Sequence, residues 1–123
     1  MPTVTAAEFN LLMDLSTADL PLITGEAIID LAINCINNLG TLEISALSGT
    51  AGSKTLTVDS NERAAIMYGA RAIYYGFYRG VDHVQVGNIN LTVPDVLANP
   101  EVRSTLEKLA QNLHEEDWSG AFL

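Results

Sequence analysis

Residues 61–80 read NERAAIMYGARAIYYGFYRG, the longest apolar stretch of the chain. Asp59 and Glu62 have the spacing of a capping box at its start, and Gly80 is a residue type that commonly follows the last helical residue. We therefore predict a helix over about residues 61–79, roughly 27 Å long at 1.5 Å per residue. Because this helix offers so little polar surface, we expect it to be buried on most sides and to lie at the centre of the fold.

Three stripes of different chemical character follow the helical period through this segment. The first consists of small residues at spacings of 4, 3 and 4, namely Ala65, Gly69, Ala72 and Gly76. Since each glycine costs a helix interior about 1 kcal/mol relative to alanine, we expect another backbone to approach closely there. The second stripe is apolar throughout and consists of Ile66, Ala70, Ile73 and Phe77. The third allows stacking and cation–π contacts and consists of Tyr68, Arg71, Tyr75 and Arg79.

Composition bounds the class of protein. A chain of 123 residues is long enough for one domain with a substantial core. Its single cysteine, Cys35, excludes an internal disulfide and a cysteine-rich zinc site. Arg71 in the middle of the apolar stretch excludes a membrane-spanning helix there. The N-terminal residues lack the pattern of a signal peptide, so we expect the protein in the cytoplasm, or in a particle assembled in a cytoplasm.

The chain is strongly acidic, with 15 acidic against 6 basic residues and a net charge of −9. Tight binding to nucleic acid needs Lys and Arg to neutralise phosphates, so the charge argues against a DNA-binding protein. Three interpretations stay open: acidity that only keeps the protein soluble, adaptation to a salt-rich host, or a surface that repels DNA sliding past it. The presence of only two lysines, Lys54 and Lys108, leans toward the second.

A short helix is predicted near the N-terminus and a longer one near the C-terminus. The first starts at a capping box formed by Thr5 and Glu8. Its single apolar face consists of Phe9, Leu12 and Met13. The last helix starts at Pro100, behind Asn99 as its N-cap, and is expected to end at about Glu115.

Another amphipathic helix is predicted over about residues 25–38. Thr24 is the candidate N-cap, and Gly40 is expected to end the helix as a left-handed cap. The polar residues of this helix are expected to face away from the core; they are Asp30, Asn34, Asn37 and Asn38. Its apolar face is broad enough to cover one side of the central helix.

Alternating apolar and polar residues predict β structure in two places. Residues 41–58 alternate on either side of a glycine-containing tip at 48–53, which is typical of a hairpin or an extended flap. Lys54 after the tip does not complete a phosphate-binding loop, because the required spacing is absent. Residues 84–93 alternate around Gly87, whose position suits a two-residue hairpin turn.

Together these elements predict a mainly helical α+β fold, a small helical bundle around the central helix with one or two β-hairpins. Residues 1–114 are expected to form a single domain, and residues 115–123 an extended C-terminal tail, for which docking on a partner is one of two interpretations. The amphipathic helices cover two sides of the central helix. The stripe that carries its tyrosines and arginines is the side left over, and we interpret it as a contact between subunits.

No catalytic, cofactor-binding or metal-binding residue is predicted, and we expect that the protein is not an enzyme. His83 and His114 are about 30 residues apart and show no metal-ligand spacing with Cys35. Cys35 lies on an apolar helix face, where a thiol usually serves packing. His114 is expected at a helix end, where it complements the helix dipole. The acidic run Glu115–Asp117 is typical of a solvated segment.

The C-terminal segment carries large apolar residues behind that acidic run. Trp118, Phe122 and Leu123 lie outside any periodic pattern. Such residues either fold back onto their own domain or dock on a partner through strand addition or aromatic anchors. The residues alone leave both interpretations open.

In the order of its elements, the chain resembles the head–tail connector (adaptor) proteins of tailed viruses. The resemblance rests on this layout, on ERAAIMYGARAIYYGFYRG at 62–80 and on QVGNINLTV at 85–93. It implies a ring, commonly twelve-fold, that lies under the portal protein, joins the capsid to the tail and leaves a channel for DNA. The C-terminal segment of this family typically inserts into the portal, a role that would fall here to Trp118, Phe122 and Leu123.

The resemblance implies a structural virion protein at the head–tail interface, assembled in the host cytoplasm. Its expected partners are copies of itself, the portal protein and a tail or stopper protein, with DNA passing through without specific binding and no membrane contact. Two alternatives stay open: another neck or tail-completion protein of a virion, and a non-viral acidic module that binds proteins. The β excursion at 41–58 is less usual for the family, and the resemblance assigns it no role.

Overall fold

A computed structural model describes residues 2–79 and 91–119, with side chains described as far as Leu113. In chain order its elements are strand β1 (Thr3–Val4), helix α1 (Ala6–Met13), helix α2 (Leu22–Gly40), strand β2 (Leu56–Thr57), helix α3 (Ser60–Ile73), a π-helical turn (Tyr74–Tyr78), helix α4 (Val93–Leu97) and helix α5 (Pro100–Ser119). The strands pair antiparallel, with Thr3 opposite Thr57 and Val4 opposite Leu56. The predicted class, mainly helical α+β, is confirmed.

The core lies where α2, α3 and α5 meet. A methyl group placed on Gly69 of α3 would lie 3.1 Å from Leu106 Cδ2, 3.2 Å from Ile36 Cδ1 and 3.5 Å from the Ala32 Cβ. The absence of a side chain at this position therefore lets side chains of both amphipathic helices reach α3. The largest fully buried side chains of the three helices are Ile28, Ile29, Ile33, Ile36, Ile66, Ile73 and Leu106. The prediction that two helices cover two sides of the central helix is confirmed.

Two further contacts fix the direction of α5. A methyl group on Gly76 would lie 2.5 Å from Val102 Cγ2, and one on Gly40 would lie 3.2 Å from the Ala110 Cβ. Since Val102 meets the end of the central helix and Leu106 meets its middle, α5 runs antiparallel to α3. The C-terminal end of α5 consequently points away from the π-helical turn.

We expect Gly76→Ala to lower the free energy of unfolding by about 1–3 kcal/mol, because overpacking a filled site forces its neighbours apart. The added methyl would overlap the side chain of Val102, which is only 4% exposed. Urea denaturation measures the effect. Val102→Ala supplies the control, since it removes the overlapping methyls: in its background Gly76→Ala should cost far less. Equal costs in both backgrounds would contradict the packing explanation.

The helix starts follow the predicted capping in three cases. One is Asn99, whose Oδ1 accepts from the Glu101 N–H at 3.0 Å and the Val102 N–H at 3.2 Å at the start of α5. Asp59 accepts from the Glu62 N–H at 2.7 Å while Glu62 accepts from the Asp59 N–H at 3.3 Å, so the capping box of α3 is confirmed. Thr5 Oγ1 accepts from the Glu8 N–H at 3.1 Å and caps α1. The Glu8 carboxylate does not return to the backbone of Thr5 but accepts from the Thr5 and Thr3 hydroxyls.

Both predicted ends of α2 are wrong. The helix begins at Leu22 with Pro21 as its N-cap instead of Thr24: the Pro21 backbone is extended, and its carbonyl oxygen accepts the first helical hydrogen bond from the Gly25 N–H at 2.9 Å. At the other end Thr41, with φ 52°, is the left-handed residue, and Gly40 is still helical. Gly40 serves packing instead, because Ala110 of α5 approaches it closely.

Residues 41–58 form a hairpin only around their tip. Ser48 and Thr55 exchange backbone hydrogen bonds of 3.0 and 2.9 Å across the turn, whereas residues 42–46 form no strand despite their alternation. Strand β2 pairs with β1 and not with the other arm of the predicted hairpin. In the second predicted hairpin, Val93 begins α4 behind its cap Thr92, and the residues up to 90 lie outside the described part of the chain, as does Gly80.

Polar side chains of α2 hold this segment in place. Asn37 donates to the Ile44 carbonyl oxygen at 2.8 Å and accepts from the Ile44 N–H at 2.9 Å. Asp30 accepts from the Leu47 N–H at 2.9 Å. Asp30 and Asn37 are half-buried and satisfy backbone groups of residues 44–47 that no sheet satisfies, a role that the sequence pattern does not predict.

The end of α5 lies farther along the chain than predicted. The helix continues to Ser119, so the predicted departure at about Glu115 is wrong and the first five residues of the predicted tail are helical. His114 accordingly lies inside the helix and not at its end. His83, Phe122 and Leu123 lie outside the described residues.

Candidate interaction surface

The four residues of the third stripe lie together on one exposed side of the central helix. Arg71 Cζ lies 5.4 Å and Arg79 Cζ 5.3 Å from the centroid of the Tyr75 ring, so both guanidinium groups are within cation–π distance of that ring. Tyr68 is 56% exposed and Tyr75 is 44% exposed, which is high for side chains of this size. We call this surface, formed by Tyr68, Arg71, Tyr75 and Arg79, the Tyr–Arg ridge.

The π-helical turn (Tyr74–Tyr78) contains Tyr75 and immediately precedes Arg79, the two ridge residues nearest the end of the central helix. The Arg79 N–H donates to the Tyr74 carbonyl oxygen at 2.9 Å, five residues back, which widens the last turn. On the inner side of this turn the rings of Tyr74 and Tyr78 stack, with centroids 6.3 Å apart and planes 6° from parallel. Burial raises the pKa of Tyr78, and burial together with the Asp19 carboxylate raises that of Tyr74. Both phenols are therefore neutral at physiological pH; the Tyr78 ring is buried in the core, and the Tyr74 ring packs against the core while partly exposed.

A groove of about 380 Å³ lies on one side of the ridge, between α1 and α3. On the α1 side the groove is lined by Phe9, Leu12 and Met13, and on the α3 side its lining includes Met67. Phe9 and Met67 are the buried members of this lining. The predicted apolar face of α1 is thus only partly covered by the core, since Leu12 is 61% exposed. This face lines a groove whose opposite wall is the ridge.

A second groove, of about 530 Å³, lies on the other side of the ridge, between α3 and α5. Ala72 and Leu109 give it apolar surface, and Lys108 lies in its α5 wall. Tyr68, Arg71 and Tyr75 line both grooves, so these three side chains are the wall between them.

The surroundings of the ridge are basic although the chain is acidic. Four of its six basic residues lie on or beside the two grooves; they are Arg63, Arg71, Arg79 and Lys108. Arg63 is neutralised by Glu8, whose carboxylate lies 3.1 Å from the guanidinium. Within the described residues, neither Arg71 nor Lys108 forms an ion pair.

The pKa of Glu8 reflects this contact. Its partial burial raises the pKa, but hydrogen bonds from Arg63, Thr5 and Thr3 more than offset that effect, so the pKa lies below its usual value. Glu8 is therefore charged at neutral pH. The ion pair joins α1 to the start of α3, the two helices between which the first groove lies.

The other predicted features are placed as follows. Cys35 is fully buried, and burial raises the pKa of its thiol to about 11, so it remains protonated at neutral pH. In the part of the chain that the structure describes, no three His, Cys, Asp or Glu residues are grouped so that they could hold a metal ion. None of the described helices is both long and apolar enough to cross a membrane.

Of the three predicted portal-binding residues, Trp118 belongs to the last turn of α5, whereas Phe122 and Leu123 lie outside the described residues.

Comparisons of the chain with protein families, curated proteins and solved structures find no match.

Proposed function

We propose that the chain is a structural subunit that associates with copies of itself through the Tyr–Arg ridge, and that the assembly is the head–tail connector ring of a tailed virus. The observation that carries the proposal is the exposure of Tyr68 and Tyr75 between two grooves. Tyrosine and arginine are enriched in the centres of protein interfaces, where they contribute most of the binding energy. A surface with both, on a rigid helix packed into the core, suits a permanent contact better than a solvated face does.

The connector assignment comes from the resemblance in element order. On this proposal the ring binds the portal protein through Trp118, Phe122 and Leu123, meets a tail or stopper protein on its other side, and has no catalytic role. The net charge of −9 per subunit is compatible with a channel that repels the phosphates of passing DNA. The protein would then reside in the virion at the head–tail interface, after assembly in the host cytoplasm.

Native mass spectrometry of the purified chain, alone and with the portal protein of the same virus, tests the proposal. We expect a closed oligomer of the 13.2 kDa subunit, with twelve copies as the leading size. Deletion of residues 118–123 should leave the oligomer intact and abolish portal binding. A discrete complex with a host protein, without self-association, would favour the binding module, and location at the tail end of the particle would favour a tail-completion protein.

A further inference from the structure

We propose that the outer face of helix α1, formed by Ala7, Leu11 and Asp14, docks in the second groove of the next copy of the chain. Leu11 then lies between α3 and α5 of that copy, and the Asp14 carboxylate pairs with its Arg71. This contact rests on the proposed self-association and names the two surfaces that meet in it.

The outer face of α1 points away from the core of its own chain. Ala7, Leu11 and Asp14 recur at spacings of 4 and 3, so they follow one side of the helix. All three are exposed, and Leu11, at 83%, is the most exposed large apolar side chain among the described residues. The core is reached by other sides of the helix, through Ala6 and Phe9, which are 2% and 1% exposed.

Asp14 is an unfavourable residue at its position in a single copy. It caps the end of α1 in the left-handed conformation, with φ 56°, which glycine and asparagine adopt more readily. Its carboxylate also lies at the negative end of the helix dipole. Within the described residues, this carboxylate forms no ion pair and no hydrogen bond. A cation of another copy would give the charge the partner that its own chain does not supply.

The second groove has the complementary chemistry. Ala72 and Leu109 offer apolar surface to a leucine side chain, and the exposed cations Arg71 and Lys108 lie in the opposite walls. Arginine binds a carboxylate through paired hydrogen bonds, and the pair is stronger where apolar surface keeps water away. A leucine with a carboxylate three residues later on the same helix side therefore fits this groove in both shape and charge.

The second groove is a better site for this face than the first groove. One of the two arginines that line the first groove, Arg63, is already neutralised by Glu8 at 3.1 Å. Neither cation of the second groove forms an ion pair within the described residues. In a chain with a net charge of −9, two unpaired cations on one groove are the feature that selects an acidic segment.

The two surfaces lie on opposite sides of the ridge, which fits a ring. The first groove lies between α1 and α3, and the second between α3 and α5, so α1 of one copy does not reach the second groove of the same copy. Contacts between two different surfaces close into a ring when the rotation between copies divides a full turn. A two-fold dimer through paired ridges would instead bring the arginines of both copies together, which like-charge repulsion opposes.

Asp14→Asn separates association from folding, since its two expected effects have opposite signs. Asparagine suits the left-handed conformation and removes the negative charge from the helix end, so the melting temperature should stay the same or rise. Sedimentation velocity of the full chain should nevertheless show self-association weakened by about 10-fold, because Arg71 loses its charged partner. Glu43→Gln is the matched control: Glu43 is exposed and lines neither groove, so this variant should associate like the wild type.

A charge swap tests the pairing itself. Asp14→Arg and Arg71→Asp should each weaken self-association by more than about 100-fold, since like charges then face each other. The two substitutions combined in one chain restore a pair of opposite charges between copies, so association should recover to within about 10-fold of the wild type. Circular dichroism first establishes that all three variants fold.

The outcomes distinguish this contact from the proposed function. If the Asp14 variants associate like the wild type while Arg71→Asp does not, or if the combined variant stays dissociated, α1 is not the occupant of the groove, but self-association through the ridge stands. If Arg71→Asp also associates like the wild type, or if the wild type is monomeric, both proposals fail.

Discussion

Glu26→Gln is expected to lower the free energy of unfolding by about 3 kcal/mol. The Glu26 side chain is only 3% exposed, and its two carboxylate oxygens accept from the Gly52 and Lys54 N–H groups, each at 2.8 Å. Hydrogen bonds to a charged group contribute about 1.5–3 kcal/mol each. Glutamine keeps one acceptor but turns an NH₂ group toward the second N–H, which leaves a buried donor facing a donor.

Urea denaturation measures this loss, and Glu43→Gln is the matched control. Glu43 is exposed, so the same chemical change there should alter the stability by less than about 0.5 kcal/mol. In the Glu26 variant, the amide hydrogens of Gly52 and Lys54 should also exchange faster with solvent. A loss of stability no greater than that of the control would show that the carboxylate does not hold the tip of residues 48–53.

The hydrogen bonds of Glu26 could not be predicted from the sequence. Glu26, Asp30 and Asn37 follow one another at spacings of 4 and 7, so their common side of α2 is readable from the helical period. The helical period does not distinguish a polar helix face that is exposed to water from a polar helix face that binds a neighbouring segment of the chain. That distinction depends on whether residues 44–54 satisfy their own backbone groups, and the alternation in 41–58 wrongly suggests that a hairpin would do so along its length.

The helices themselves were largely predictable. The capping box at Asp59 and the apolar stripe of the central helix establish both its start and its buried side. The π-helical turn at Tyr74–Tyr78 was not predictable, since it changes the hydrogen-bond ladder without a marker in the residue pattern. The pattern mispredicts the end of α2 because it gives Gly40 a conformational role. A methyl group at Gly40 would lie 3.0 Å from Leu42 Cδ1 and 3.2 Å from the Ala110 Cβ, so close packing favours glycine there.

The ridge was predicted and its grooves were not. The positions of Tyr68 and Tyr75 on one stripe follow from their spacing within a single helix. The groove walls come from Leu12 of α1 and Lys108 of α5, which are distant in the chain from α3. Only the packing of three helices brings them to the ridge, and no local pattern encodes that packing.

Arg71→Ala combined with Arg79→Ala is expected to weaken self-association by roughly 150-fold, which corresponds to about 3 kcal/mol. Both arginines are exposed and lie beside the Tyr75 ring, so within one copy they contribute only weak cation–π contacts, each about 0.5–1 kcal/mol. In an interface the same groups bind the partner and are shielded from water. Assembly should therefore suffer far more than folding.

Arg103→Ala combined with Lys54→Ala is the matched control, because it also removes two positive charges. Arg103 forms an exposed ion pair of 2.7 Å with Glu107, of the kind that contributes 1 kcal/mol or less, and neither residue lines the two grooves of the ridge. This variant should assemble like the wild type. A similar loss in both variants would show that net charge, and not the ridge, controls association.

The role of the ridge is tested most directly by sedimentation velocity over a concentration series. The wild type and the Arg71→Ala/Arg79→Ala variant are compared after the melting temperature of each has been measured. The account predicts that the variant melts within about 8 °C of the wild type. It also predicts that the variant is monomeric at concentrations where the wild type is fully assembled. If the melting temperature falls much further while the folded fraction assembles as before, the ridge belongs to the core and is not the surface through which the copies bind.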